Sequence, residues 1–136
     1  VRGSRTRRRG REMAEARMRS ACRVQRPSGE PVLGDDGEFH TPMTTIYEGP
    51  CRLRMVSAVT SDIEAAAQLF VGQSAVLSLP VLTSGDVRVN DLATFLPSTN
   101  PSDDLDPAIV GQVVRVTGRH YDTDATARRL PVEMIS

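Results

Sequence analysis

Tryptophan and lysine are both missing from the 136 residues, and aromatic residues make up only 4%. Proteins that hold single-stranded nucleic acid by base stacking use more aromatic side chains than that, so a stacking platform is not expected. All 17 basic residues are arginine, a bias that physics does not demand and that a GC-rich coding genome explains. Cys22 and Cys51 are the two cysteines. Two are too few for a small secreted disulfide scaffold, and without clustered histidines they make no zinc site. They read as buried thiols, which fits a reducing compartment. No apolar run approaches the roughly 20 residues of a membrane span. The arginine-rich start has no apolar stretch after it, so no signal peptide is expected. The chain opens on Val1, and Met13 is a candidate natural start.

Motifs of catalysis are missing as well. There is no Gly-x-Ser-x-Gly elbow, His-Glu-x-x-His helix or Gly-x-x-x-x-Gly-Lys phosphate loop. His40 and His120 each lie near a predicted turn with no motif around them. Asp103, Asp104 and Asp106 cluster, but without the glycine and distal glutamate of a calcium loop. The expectation is a protein that is not an enzyme and that needs no cofactor or metal.

What is present is a charge split. The formal net charge is +0, yet residues 1–26 hold ten arginines against Glu12 and Glu15. From Pro27 onward seven arginines face fifteen acids. A basic end on an acidic body favours head-to-tail contact between subunits, or a polyanion at the basic end. Arg5, Arg7, Arg8, Arg9 and Arg11 are the candidate contact residues there. Arginines in such a run bind phosphates without reading sequence.

Along the chain, residues 1–12 read as an arginine-rich arm and 13–136 as one domain, with a leading helix over about 11–20. Ala14, Met18 and Ala21 would share one helical face. The period then changes to two. Cys22 and Val24 alternate with Arg23, and Cys51, Leu53 and Met55 alternate with Arg52 and Arg54. These two segments are expected as neighbouring strands, cysteines inward and arginines outward. Thr44–Tyr47 is β-prone, and Glu48-Gly49-Pro50 is expected to interrupt it. Gly34-Asp35-Asp36-Gly37 is a turn signal. Ser61–Leu69, with Asp62 and Glu64, is a short helix or a mobile loop. Ala75, Leu77, Leu79 and Val81 alternate, with Pro80 suggesting a strand end. Val87–Val89 follows a turn, and Leu92–Leu96 comes after Asn90-Asp91. Pro97–Pro107 is an acidic surface loop. Ile109–Gly118 and Ala127–Ile135 are expected as the last strands. Five to seven short strands, one helix and no βαβ rhythm give a mainly β fold, a small antiparallel β-barrel or sandwich with long loops.

Several segments, taken as strings, resemble one family. They are Ala14-Glu15-Ala16-Arg17-Met18, Cys22-Arg23-Val24-Gln25-Arg26-Pro27-Ser28-Gly29 and Tyr47-Glu48-Gly49-Pro50-Cys51-Arg52-Leu53-Arg54. Leu77-Ser78-Leu79-Pro80-Val81 and Val87-Arg88-Val89-Asn90-Asp91 follow, then Ile109–Gly118 and Ala127–Glu133. In order and spacing they resemble the head-to-tail stopper proteins of actinobacterial tailed phages, also called head-closure or head-tail connector proteins. The likeness runs from about Met13 to Ile135. The basic stretch before Met13 is longer than the family pattern, and the Pro97–Pro107 loop is expanded.

The resemblance implies a structural virion protein rather than an enzyme. It would form a ring with copies of itself, typically six, in the virion neck, after assembly in the bacterial host cytoplasm. Its partners would be the adaptor ring on the portal, the tail terminator or tail tube protein, and packaged DNA in the channel, with no membrane. The arginine arm would reach the adaptor ring or DNA. The 61–69 segment would gate the channel, and the 97–107 loop, with Asp103, Asp104 and Asp106, would face a neighbouring ring. The alternative from the residues alone is a nucleic-acid-binding small β-barrel with a basic arm.

Overall fold

The fold is described from a computed structural model, over residues 2–55, 74–97, 106–119, 121, 123 and 125–135. It is mainly β. A helix, α1 (Arg2–Ala16), precedes eight strands: β1 (Ser20–Pro27), β2 (Val32–Leu33), β3 (Phe39–His40), β4 (Met43–Met55), β5 (Ser74–Leu79), β6 (Leu92–Leu96), β7 (Val113–Val116) and β8 (Arg128–Met134). Six of them close an antiparallel barrel in the order β1-β4-β5-β8-β7-β6, and β2 and β3 pair separately.

The barrel interior follows from the period-two patterns. Cys22 and Val24 of β1, Ala75, Leu77 and Leu79 of β5, and Ala93 and Phe95 of β6 are buried. So are Val114 and Val116 of β7 and Leu130 and Val132 of β8. Alternate residues face out, as Arg23, Arg52 and Arg54 do. Phe95, Leu77, Leu79 and Leu130, with valines and smaller side chains between them, fill the interior of the six-stranded barrel. Val87, Tyr47 and Cys51 complete the core.

β4 is one strand of 13 residues, not two. Glu48-Gly49-Pro50 does not interrupt it, because Gly49 faces inward beneath the Tyr47 ring. A Cβ there would stand 3.0 Å from the Tyr47 hydroxyl oxygen, so glycine is what lets the ring lie flat. The Tyr47 hydroxyl donates to the Pro50 carbonyl at 2.5 Å. The register with β1 shifts between Val24 and Gln25, leaving Ile46 as the extra residue of a bulge. The first part of β4 pairs with β1 and the last four residues with β5. The two cysteine segments are neighbours, as their patterns predict.

Other expectations are corrected. The helix begins at Arg2 and ends at Ala16, earlier than 11–20. Met18 is buried beyond the helix, and Ala21 lies in β1, paired with both Pro50 and Leu96. Two ladders outweigh helix propensity there. Val87 and Arg88 form no strand and Val89–Asn90 is a turn, where the buried Asp91 carboxylate accepts from the Arg88 N–H at 2.8 Å. The strand expected over 109–118 is shortened to Val113–Val116. Pro107–Ile109 forms one turn of 3-10 helix, and Gly111 takes φ +85°. Pro131 is accommodated inside β8 because its carbonyl accepts from the Thr117 N–H at 2.9 Å, just past the end of β7. A ladder donor is therefore lost only where β7 has already stopped.

Candidate functional site

Among the described residues, two features project from the barrel. The first is α1, with six arginines and two glutamates. Arg5, Arg8 and Arg9 are exposed, and Arg7 and Arg11 are half-buried. The helix rests on the segment before β8. Arg11 Nε donates to the Ala125 carbonyl at 3.3 Å, and a Cβ on Gly10 would collide with Thr126 Cγ2 at 2.7 Å. A glycine inside a helix costs stability, and here it permits that close approach. Arg7, Arg8, Arg11, Glu12, Glu15 and the exposed Leu82 line a groove beside the helix.

The second is the β2–β3 hairpin within residues 28–42. It is joined to the barrel by the Ser28 N–H donating to the Pro42 carbonyl at 2.9 Å. Its turn is the expected Gly34–Gly37 segment, with Gly37 at φ +83°. Val32 faces His40 and Leu33 faces Phe39 across the two strands. All three apolar side chains are exposed, Phe39 by 71%. The hairpin carries Glu30, Asp35, Asp36 and Glu38 and no arginine. The Glu38 N–H donates to the Asp36 carboxylate, and His40 Nε2 lies 2.9 Å from it. Both contacts, the backbone one first, hold the Asp36 carboxyl below its usual range. Ligand atoms of Asp36, Glu38 and His40 lie within 4.8 Å of one another, but all three residues are exposed. Exposed acidic groups gather this way without an ion, so the geometry assigns no metal.

Elsewhere the buried polar groups are structural. Arg26 clamps Asp91 with two bonds, Nε to Oδ1 at 2.8 Å and an Nη to Oδ2 at 2.9 Å. That pairing raises the Arg26 pKa above its ordinary value. Buried Ser84 donates to the Pro80 carbonyl and accepts from Arg128 Nε at 3.0 Å. Cys22 and Cys51 are free thiols. The neighbouring Cys22 thiol, then burial, pushes the Cys51 thiol far above its ordinary range. Burial does the same to the Tyr47 phenol. A protonated thiol is a poor nucleophile. Among the described residues no buried side-chain polar atom lacks a partner.

The five candidate arginines thus share one element, with Arg11 spent partly on its own chain. Asp106 caps the 3-10 turn, accepting from the Ala108 N–H at 3.0 Å, and stays exposed. Asp62, Glu64, Asp103, Asp104 and His120 lie outside the described residues. The apolar side chains of the hairpin were not among the residues singled out from sequence. Their signal is Val32-Leu33 and Phe39 set between turn formers, too short for a period to register.

No helix among the described residues is long and apolar enough to cross a membrane. No curated protein and no solved structure gives a significant match to the chain. One family does, over residues 10–133, a span that takes in the end of α1 and all of the barrel strands but the last residue of β8. The chain therefore belongs to DUF6093, a family of unknown function.

Proposed function

We propose that this protein is a ring-forming neck component of a tailed phage, a head-to-tail stopper that closes the DNA-filled head and joins it to the tail. The observation that supports the reading most is the division of the chain into a filled, hydrogen-bonded barrel and two oppositely charged projections. A ring needs a heterologous interface, in which one surface of a subunit meets a different surface of the next. A rigid block with a basic helix at one place and an acidic, apolar hairpin at another suits that geometry. The order of the sequence segments between Met13 and Ile135 supports the family resemblance independently. Six copies, the adaptor ring, the tail terminator or tail tube, and packaged DNA are the partners this reading entails.

The test is electron microscopy of lysate from a phage with a nonsense codon in this gene. Free tails beside unjoined or emptied heads are expected. Normal virions would overturn the reading. A second reading, a nucleic-acid-binding small barrel, is favoured by the exposed Arg5, Arg8 and Arg9 of α1. It requires steeply salt-dependent retention on DNA that disappears when residues 1–11 are removed.

A further inference from the structure

The β2–β3 hairpin is too short to bury its own side chains. Leu33 and Phe39 are directly opposite, so they present one apolar face, exposed by 60% and 71%. Two-stranded ribbons of this kind are marginal in water unless something covers them. A contiguous apolar face with charged neighbours marks a contact surface. Its neighbours here are Glu30, Asp35, Asp36 and Glu38.

The same chain carries the complement. Leu82 is 77% exposed and sits in the groove with Arg7, Arg8, Arg11, Glu12 and Glu15. Three guanidiniums outnumber the two carboxylates around that apolar side chain, which suits a ligand that is apolar in the centre and acidic at the rim. The excess charges also match: α1 has six arginines against two glutamates, and the hairpin has four acids against no arginine. Within one chain the two surfaces leave each other uncovered, since Phe39 and Leu82 both remain in solvent.

We infer that the hairpin of one copy docks in the α1–Leu82 groove of a second copy, with Leu33 and Phe39 over Leu82 and the hairpin acids against the helix arginines. This deepens the ring reading, because it names the contact through which subunits would join. The interface is head-to-tail, so repetition closes a ring or extends a filament. Opposite charges at its rim would speed encounter and fix orientation, while the apolar centre would hold the complex.

The experiment uses the purified full chain. Sedimentation velocity across a concentration series, at low and high salt, gives the self-association. Phe39→Asp is expected to weaken it at least tenfold. Asp35→Arg with Glu38→Arg, and separately Arg7→Glu with Arg8→Glu, should each do likewise, and all four changes in one chain should restore association. A merely misfolded variant would not be rescued in this way. In a chain with Leu33→Cys and Leu82→Cys, mild oxidation should give a ladder of linked multimers on a non-reducing gel. A chain that stays monomeric and forms no ladder overturns the inference, as does association unchanged by these variants. Unchanged association would leave the ring reading standing on another surface. Conversely, Leu33–Leu82 linkage together with normal virions from the nonsense phage would sink the neck reading and keep this contact.

Discussion

Asp91 shows how a single buried acid can organise a loop. It is 2% exposed, accepts both bonds from Arg26, and also takes the Arg88 N–H. Asp91→Ala removes all three acceptor contacts, and loss of a buried partner of this kind costs about 1–3 kcal/mol. A lowered urea midpoint with an unchanged slope is the expected readout, and Asp91→Asn should lose less. The two thiols are sealed inside the barrel wall. Ellman's reagent should find none in the native protein and both in denaturant. A fast-reacting thiol in the native state would mean the β1–β4 wall opens. Asp36 gives the clearest pH dependence. Its carboxyl pKa is lowered in the fold, so its contribution is present above the ordinary aspartate value and disappears as pH falls through the lowered one. Between neutral pH and pH 3, the wild-type hairpin should therefore lose protection in amide exchange more than Asp36→Asn does.

At the scale of elements, the strands with clean alternation were legible. Cys22/Val24, Ala75/Leu77/Leu79 and Leu130/Val132 face inward as period two requires. The errors have one physical origin. A break was expected at Glu48-Gly49-Pro50, yet tertiary pairing carries the strand through. The reverse error occurred over 109–118, where apolar residues suggested strand but Gly111 turns the backbone. The Gly111 N–H donates to the Phe95 carbonyl at 2.9 Å, tying that turn to β6. Nothing would crowd a Cβ at Gly111, so Gly111→Ala isolates the backbone cost of positive φ. A loss of about 1–2 kcal/mol is expected in a thermal or urea melt. The candidate contact residues were only partly legible. The arginine run announces a basic surface, but not that it is helical, nor that Arg11 is anchored to Ala125. The hairpin's apolar face escaped because two-residue strands carry no measurable period.

At the scale of the whole molecule, α1 is an appendage on a self-sufficient barrel. Its arginines crowd toward the helix N-terminus, the wrong end for positive charge beside the helix dipole, so the helix gains little from its own sequence. Removing residues 2–9 should therefore move the melting temperature by no more than about 2–4 °C, the shift that 1 kcal/mol produces in a larger domain. Circular dichroism would show it, and a collapse of the melt would mean the helix props the barrel. Closure of the sheet has a further consequence, in time rather than in space. β1 finds its second neighbour in Leu92–Leu96, and β5 finds its own only in Arg128–Glu133. Both seams join sequence-distant strands, and pairings of that kind form slowly, over milliseconds to seconds. During translation the first strands emerge long before the ones that complete them, with their hydrogen-bonding edges bare. The finished subunit hides every barrel edge, while the growing chain shows two, so its exposure to misassembly is greatest on the ribosome and ends when β8 arrives.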